Sequence, residues 1–219
     1  MNYKPIIIVA GEPNSVFLEI FFKSLKKKNY KSPLILISSM KVLKFQMKKL
    51  KYKFKIKLVD YKNISNTKLD KKSINLIDIE YKNSKAFNKI SKNSRTYIEK
   101  CFNVALKIIK SGITNKLING PISKKNFLNN KFLGITEYLT AKSNSKKSAM
   151  LIYNKKLSVC PITTHLPLKM VSKKITKQMG AVQVALGSFK LGPMIPTIKK
   201  GSDYQYVDKK YYQKFPLIQ

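Results

Sequence analysis

A single histidine marks the place in this chain where chemistry is first sought. His165 lies in the segment 160–168, CPITTHLPL, where an apolar strand is predicted to end and a helix led by a proline is predicted to begin. In open α/β sheets ligands collect at the carboxyl ends of strands, and an imidazole there can bind a metal, shuttle a proton or donate a hydrogen bond. The alternative is a structural histidine that a nearby carbonyl group satisfies.

A second polar segment, 118–125 with the sequence INGPISKK, follows another predicted strand and leads into a predicted helix near Ser123. Backbone N–H groups at such a helix start, together with the ammonium group of Lys124, can hold an anion. The alternative for Lys124 is a solvated surface lysine, because most lysines are exposed.

A third segment, 134–139 with the sequence GITEYL, supplies a hydroxyl group. Thr136 can hydrogen-bond a ligand, or it can cap a helix predicted over Glu137 to Ser143, because threonine is common at the N-cap position. Both interpretations stay open from the sequence.

These three segments, together with GEP at 11–13 after the first apolar run, resemble the 4-hydroxythreonine-4-phosphate dehydrogenase family of pyridoxal phosphate biosynthesis. The motifs occur in the family's order and at matching intervals, and the resemblance covers residues 4–176. It implies an α/β fold with a mostly parallel sheet covered by helices, like that of isocitrate and isopropylmalate dehydrogenases. It also implies a homodimer that oxidises and decarboxylates 4-phosphohydroxy-threonine, a phosphorylated small molecule, with NAD and a divalent metal.

By motif match, the resemblance assigns His165 to the metal (zinc, magnesium or cobalt), Lys124 to catalysis, and Thr136 and Ile135 to substrate binding. Ile135 stands where the family has a substrate-contacting histidine, and its side chain has no polar atom to donate. His165 is the chain's only histidine, whereas catalytic zinc sites typically use three protein ligands. Carboxylates or a second subunit would have to complete the metal site, so we expect an impaired dehydrogenase.

Composition restricts the classes of protein that fit. With 219 residues, 43% of them hydrophobic, the chain can bury a substantial core. No apolar run approaches the roughly 20 residues that span a bilayer, and the run Ile6 to Ala10 is too short for a signal-peptide core, so a soluble cytoplasmic protein with no membrane partner is predicted. Cys101 and Cys160 lack metal-ligand or redox spacing, which predicts buried free thiols.

The formal net charge of +35 would ordinarily indicate a nucleic-acid or membrane partner. Arg95 is the only arginine among 45 basic residues, whereas base recognition favours the bidentate guanidinium group. We therefore interpret the charge mainly as lysine on solvated faces and expect no specific nucleic-acid partner. Non-specific attraction of polyanions at low salt is still expected.

Apolar periodicity predicts β-α-β-α-β order over the first 60 residues, which is typical of a largely parallel sheet covered by helices. The strands are predicted at Pro5 to Ala10, Pro33 to Ile37 and Phe54 to Val59, and Ile20 lies on the apolar face predicted for the first helix. Later elements are a strand at Ile74 to Ile79, a helix from Ile90 to Lys110 that Gly112 ends, a strand at Lys116 to Asn119, and a hairpin formed by Ala149 to Tyr153 and Leu157 to Ile162.

Beyond Thr176 glycines and prolines interrupt the periodicity and the family resemblance fades. We therefore predict a family-like α/β region at 1–176 and a divergent tail at 177–219. Two other functions stay open. One is a non-catalytic relic of the fold, which would bind ligand without turnover. The other is a lysine-rich nucleic-acid-binding protein, which strongly salt-dependent, sequence-independent DNA binding would reveal.

Overall fold

The computed structural model describes residues 3–27, 29–82, 87, 92–129, 131–145, 148–153, 159–163 and 168–175, and the backbone of 197–200 and 203–205. The chain divides into two compact units, Met1–Tyr138 and Leu139–Gln219. His165 and most of the predicted tail lie outside the described residues, so the predicted boundary at 176 stays a prediction.

The first unit is built on a five-stranded sheet in which every neighbouring pair is parallel, and this confirms the predicted α/β class. Its strands are β1 (Ile6–Val9), β2 (Leu34–Ser38), β3 (Ile56–Leu58), β4 (Ile74–Asp78) and β5 (Leu117–Asn119). Their order across the sheet is β3-β4-β2-β1-β5.

Burial follows the sequence pattern of each strand. The inner strands β1, β2 and β4 are nearly continuous apolar runs with successive buried residues, so both faces of the sheet are covered. The edge strand β3 alternates lysine with apolar residues, and Leu58 is exposed there. The alternation of apolar and charged residues over Phe54 to Val59 predicts an outer strand, and the position of β3 at the edge of the sheet confirms it.

The described helices follow the predicted alternation with the strands. They are α1 (Phe17–Lys27), α2 (Met40–Lys49), α3 (Arg95–Lys110), α4 (Ile135–Lys142) and α5 (Leu168–Lys174), with 3-10 turns at Tyr61–Asn66 and Lys92–Ser94 and a π-helical turn at Lys124–Leu128. Gly112, with a φ of 78°, follows the end of α3 as predicted. None of the described helices is long and apolar enough to cross a bilayer.

The buried face of α1 agrees only in part with the predicted one, which comprises Phe17, Ile20, Phe21, Ser24 and Leu25. Phe21 is buried as predicted. Ile20 is 56% exposed, whereas Leu18 and Phe22 are buried. The ring of Phe22 packs against those of Tyr52 and Phe54, at centroid distances of 5.4 and 5.8 Å. These aromatic contacts, which involve residues about 30 positions further along the chain, fix the rotation of α1 and leave Ile20 outside.

The second unit contains α5, a two-stranded antiparallel pair β6 (Thr197–Lys200) and β7 (Asp203–Gln205), and an antiparallel bridge between Ile152 and Val159. The bridge has both backbone hydrogen bonds, at 2.8 and 2.9 Å, and it agrees with the predicted hairpin, although residues 154–158 lie outside the described residues. Both cysteines are free thiols; Cys101 is buried as predicted, whereas Cys160 is only half-buried.

Candidate functional site

The strand order has a switch point at β1, because β2, β3 and β4 all lie on one side of β1 and β5 lies on the other. In open parallel sheets ligands bind outside the carboxyl ends of the strands at such a switch point. The segments that leave β1 and β5 there are residues 10–16 and 120–123.

These two segments touch through their backbones, and glycine is needed at both contacts. Gly11 has a φ of 73°, and a Cβ atom on it would lie 2.4 Å from the carbonyl oxygen of Pro121. A Cβ atom on Gly120 would lie 2.2 Å from the carbonyl oxygen of Ala10. The N–H of Glu12 donates to the Pro121 carbonyl at 2.9 Å, and this hydrogen bond fixes the two segments to each other.

Glu12 places a carboxyl group inside this contact. Its side chain is 2% exposed, and the Ser94 hydroxyl, just before α3, donates to its Oε2 at 3.0 Å. The other oxygen, Oε1, is buried without a hydrogen-bond partner among the described residues. Burial raises the pKa of Glu12, and the Ser94 hydrogen bond offsets part of that rise. The carboxyl group therefore keeps its proton to a higher pH than an exposed glutamate does.

Gln46 of α2 also binds the segment 10–16 that follows β1. It is fully buried, and its Nε2 donates to the carbonyl oxygen of Pro13 at 2.8 Å. Its Oε1 is also buried without a hydrogen-bond partner in the described part of the chain. The loop after β1 is thus fastened by side chains from α2 and from the start of α3.

Lys124 begins the π-helical turn Lys124–Leu128 that follows β5. Ser123 caps this turn, because its hydroxyl accepts a hydrogen bond from the N–H of Asn126 at 3.1 Å. The predicted helix start near Ser123 is confirmed, and the Lys124 side chain is exposed at the carboxyl end of the sheet. An ammonium group in this position is available to an anion in solution.

Ile135 and Thr136 lie in the first turn of α4, and both side chains are half-buried. The helix begins at Ile135, and the N–H of Tyr138 donates to the carbonyl of Gly134 at 3.2 Å. Thr136 therefore lies inside the helix, and the interpretation of Thr136 as the N-cap is wrong. The interpretation of its hydroxyl as a ligand contact stays a prediction.

An aromatic cluster brings together the elements that carry Lys124 and Thr136. The ring of Phe127, in the turn, lies 5.0 Å from that of Tyr138, in α4, and both rings contact Phe102 of α3 at 5.9 and 5.6 Å. The side chains of the turn and of α4 thus share one core on α3. His165 lies outside the described residues, so its predicted place beside these groups stays a prediction.

The described residues do not fit a divalent metal site. They contain no group of three or more His, Cys, Asp or Glu side chains that could hold an ion. The Cys101 thiol is buried, and burial raises its pKa to about 12. The sequence-based expectation of a metal at His165 is therefore not supported by additional ligands from the described part of the chain.

Glu12, Ser94 and Gln46 are the polar residues of this region that sequence reasoning missed as site residues. The position of Glu12, directly after an apolar strand in a chain with ten acidic residues, was a usable indication. Its partnership with Ser94, 82 positions away, has no local pattern that predicts it.

Comparison with known proteins gives a family match. Residues 29–188 match the family model described as pyridoxal phosphate biosynthetic protein PdxA. A 4-hydroxythreonine-4-phosphate dehydrogenase from Sulfurihydrogenibium sp. (strain YO3AOP1) is 32% identical over 177 residues, which are 79% of this chain and 53% of that protein. The enzyme of the same name from Colwellia psychrerythraea is 27% identical over 176 residues, 78% of this chain and 52% of the relative. The chain thus spans about half the length of these relatives.

Solved structures agree on the fold. A 4-hydroxythreonine-4-phosphate dehydrogenase from Burkholderia phymatum superimposes with a TM-score of 0.72 at 21% identity, over 86% of this chain and 58% of that one. The structure of the Klebsiella pneumoniae enzyme of that name gives a TM-score of 0.72 at 19% identity, over 85% of this chain and 59% of the other. The arrangement of β1 to β5 is therefore shared with these dehydrogenases.

Proposed function

The chain belongs to the family of the pyridoxal phosphate biosynthetic protein PdxA, and on that premise we propose that it binds 4-phosphohydroxy-threonine at the carboxyl ends of β1 and β5 but oxidises it poorly. The observation that carries this proposal is the family match, which spans Lys124, Ile135, Thr136 and His165. The placement of Lys124 at the switch point of the sheet supports it.

Each of the three described site residues, Lys124, Thr136 and Ile135, has a proposed role toward the substrate. The exposed ammonium group of Lys124 pairs with the phosphate or another anionic group of the substrate, and the net charge of +35 favours the approach of an anion. The hydroxyl of Thr136 hydrogen-bonds the substrate. Ile135 offers an apolar surface only, so the affinity is lower than in relatives with a histidine there.

The backbone contact between Gly11 and Pro121 supplies the rigid base of this site. Because the Glu12 N–H donates to the Pro121 carbonyl and the Gly120 N–H donates to the Val9 carbonyl at 2.7 Å, the carboxyl ends of β1 and β5 cannot separate without breaking hydrogen bonds. Ser94 and Gln46 hold the loop after β1 to the start of α3 and to α2. Lys124, four residues after Gly120, is thereby positioned by backbone rather than by its own contacts.

Calorimetric titration with 4-phosphohydroxy-threonine tests the binding site. Lys124→Ala removes a charge-assisted hydrogen bond, worth about 2 kcal/mol, and is expected to weaken binding roughly 30-fold. Lys125→Ala is the matched control, because Lys125 is the adjacent exposed lysine of the same turn and loses the same charge. Equal losses in both variants would show that the general positive field, and not Lys124, holds the substrate.

Thr136→Val tests the second contact. The substitution keeps the shape of the side chain and removes the hydroxyl, so a loss of about 1 kcal/mol, or about fivefold in affinity, is expected. Unchanged binding would remove Thr136 from the site.

Turnover is expected to be low. NAD, implied by the family, would accept the hydride. We propose no NAD-binding residue among those that the structure describes. His165 is the chain's only imidazole, and the described residues add no cluster of metal ligands to it. Loss even of a residue that only supports a metal ligand costs about 10- to 100-fold, so we expect NADH production at least that far below intact family members, with little rescue by Ile135→His. Turnover near the family's rate, abolished by His165→Ala, would contradict this.

We also propose a cytoplasmic homodimer, because the family's active sites form at a subunit interface. Three exposed apolar side chains are surface that a second subunit could cover: Val16 just before α1, Ile20 on α1 and Ile118 on β5. Mutual repulsion of two chains of charge +35 opposes the association. Sedimentation that shows only monomer at micromolar concentration would refute the dimer.

A further inference from the structure

One stretch of the chain, residues 40–59, carries eight lysines and no aspartate or glutamate. It forms α2 (Met40–Lys49), a tight turn and the edge strand β3 (Ile56–Leu58). Seven of its lysines are exposed: Lys41, Lys44, Lys48, Lys49, Lys51, Lys53 and Lys55. We refer to these seven residues as the basic face.

The helical part of the basic face is a continuous stripe. Lys41, Lys44 and Lys48 are spaced by three and four residues, so they lie in one row along α2. Phe45 lies among them and is 38% exposed. The opposite side of the helix is formed by buried residues: Val42, Leu43, Gln46 and Met47.

The row continues past the end of α2. Lys51, with a φ of 56°, turns the chain, and the Tyr52 N–H donates to the Met47 carbonyl at 2.9 Å. The rings of Tyr52 and Phe54 both pack on Phe22. Because successive side chains of an extended segment point to opposite sides, the exposed lysines that alternate with these two rings extend the basic face toward the sheet edge.

The charges of the basic face are not neutralised within the described part of the chain. None of the seven lysines forms a salt bridge with a carboxylate there, in contrast to Lys23, which pairs with Glu19 on α1. The nearby carboxylate of Asp78 accepts a hydrogen bond from the Met40 N–H at the start of α2, at 2.7 Å. Lys49 lies 6.0 Å from the centroid of the Phe87 ring. Such a concentration of positive charge attracts a polyanion.

The chemistry of this face favours nucleic acid over a lipid surface. A helix that lies on a membrane inserts an apolar face, and the apolar side of α2 is already buried in the core. Lysines contact phosphates as point charges, without the bidentate base recognition of arginine. The exposed ring of Phe45 can stack on an unpaired base. We infer that the basic face binds the phosphodiester backbone of single-stranded nucleic acid, without sequence preference and independently of the substrate site.

The test measures binding of a fluorescein-labelled oligouridylate by anisotropy over a series of salt concentrations. One variant neutralises four lysines of the basic face: Lys41→Gln, Lys44→Gln, Lys48→Gln and Lys53→Gln. The control neutralises four exposed lysines elsewhere: Lys26→Gln on α1, with Lys100→Gln, Lys107→Gln and Lys110→Gln on α3. Both variants lose the same charge, and thermal unfolding checks that both remain folded.

If the basic face binds the oligonucleotide, the plot of log affinity against log salt becomes less steep in the first variant. The slope falls by about 0.7 for each phosphate contact removed, or by about 3 for four contacts. The first variant also binds more than about tenfold more weakly near 0.1 M salt. The control keeps nearly the slope of the parent chain. Phe45→Ala lowers the affinity severalfold without changing the slope, because stacking releases no counterions. Equal losses in the two lysine variants, no binding by the parent chain at about 50 mM salt, or binding to anionic phosphatidylserine vesicles but not to the oligonucleotide would each overturn the inference.

Discussion

The two ends of the five-stranded sheet differ in how completely their buried polar side chains are hydrogen-bonded within the described part of the chain. At the amino end, Asn75 of β4 is fully buried; its Nδ2 donates to the carbonyls of Leu34 and Asp70 at 2.9 and 2.7 Å, and its Oδ1 accepts from the Asp70 N–H at 2.9 Å. The buried hydroxyl of Thr114 donates to the Pro5 carbonyl at 2.6 Å and accepts from the Lys116 N–H at 3.1 Å. Each of these side chains ties two neighbouring segments together and has its polar atoms paired.

At the carboxyl end, pairing is incomplete. Glu12 and Gln46 each use one polar atom, on Ser94 and on Pro13, and each buries an oxygen that has no hydrogen-bond partner among the described residues. Leaving a buried polar atom without a partner costs free energy, so such atoms are rare away from sites that do something other than hold the fold. We therefore propose that the amino end serves mainly to stabilise the sheet and that the ligand binds at the carboxyl end.

The largest expected effect lies at the amino end. Asn75→Leu would leave the Asp70 N–H and the carbonyls of Leu34 and Asp70 without this partner, and a loss of about 4 kcal/mol in the free energy of unfolding is expected. Urea unfolding measures it. Asn66→Ala is the control, since it removes an exposed hydrogen bond to Asn63 and should cost less than about 0.5 kcal/mol. A loss below about 1 kcal/mol for Asn75→Leu would refute the structural role of this end.

A smaller effect is expected where the two carboxyl-end loops meet. Gly11→Ala introduces a Cβ atom 2.4 Å from the Pro121 carbonyl oxygen at a φ of 73°, and we expect a loss of about 3 kcal/mol in unfolding free energy from strain and overlap. Gly112→Ala is the matched control: its φ is 78°, but no atom lies within 4 Å of the added Cβ. The control should lower the free energy of unfolding by about 1 kcal/mol, because only the strain of the left-handed backbone conformation contributes. Equal costs would mean that the loops are not in close contact.

The smallest effect concerns Glu12 and pH. Burial raises its pKa above the ordinary 4.5, so the folded chain binds this proton more tightly than the unfolded chain does. The stability it contributes is fully present below the unfolded pKa and is lost as the pH rises through the folded pKa. Glu12→Gln cannot ionise, and the urea midpoint of the variant relative to the parent chain should rise over that window. A difference between the two midpoints that is constant with pH would contradict the burial of an ionisable carboxyl group.

Much of the sheet was predictable because its inner strands are continuous apolar runs separated by amphipathic helices. The runs at Ile6–Val9 and Leu34–Ser38 were identified to within one or two residues. The rotation of α1 was not, because Ile20 is excluded from the core by contacts of Phe22 with Tyr52 and Phe54, and a single helix sequence does not contain that information.

The candidate site was predictable in its motifs and not in its polar contacts. The segment containing Lys124 was recognised because a glycine-proline turn between a strand and a helix start is a local pattern. The partnership of Glu12 with Ser94 depends on how distant elements pack. The start of α4 was predicted at Glu137, two residues after its first residue Ile135, because the sequence there lacks a strong capping pattern.

Hydrogen exchange with and without 4-phosphohydroxy-threonine tests the division between the two ends most directly. If the carboxyl end is the ligand site, the substrate slows amide exchange in peptides that cover residues 10–16, 120–126 and 135–138. Peptides that cover 70–76 and 113–117 at the amino end should exchange at unchanged rates. Protection confined to the amino end, or no protection at a substrate concentration that saturates calorimetric binding, would contradict this assignment.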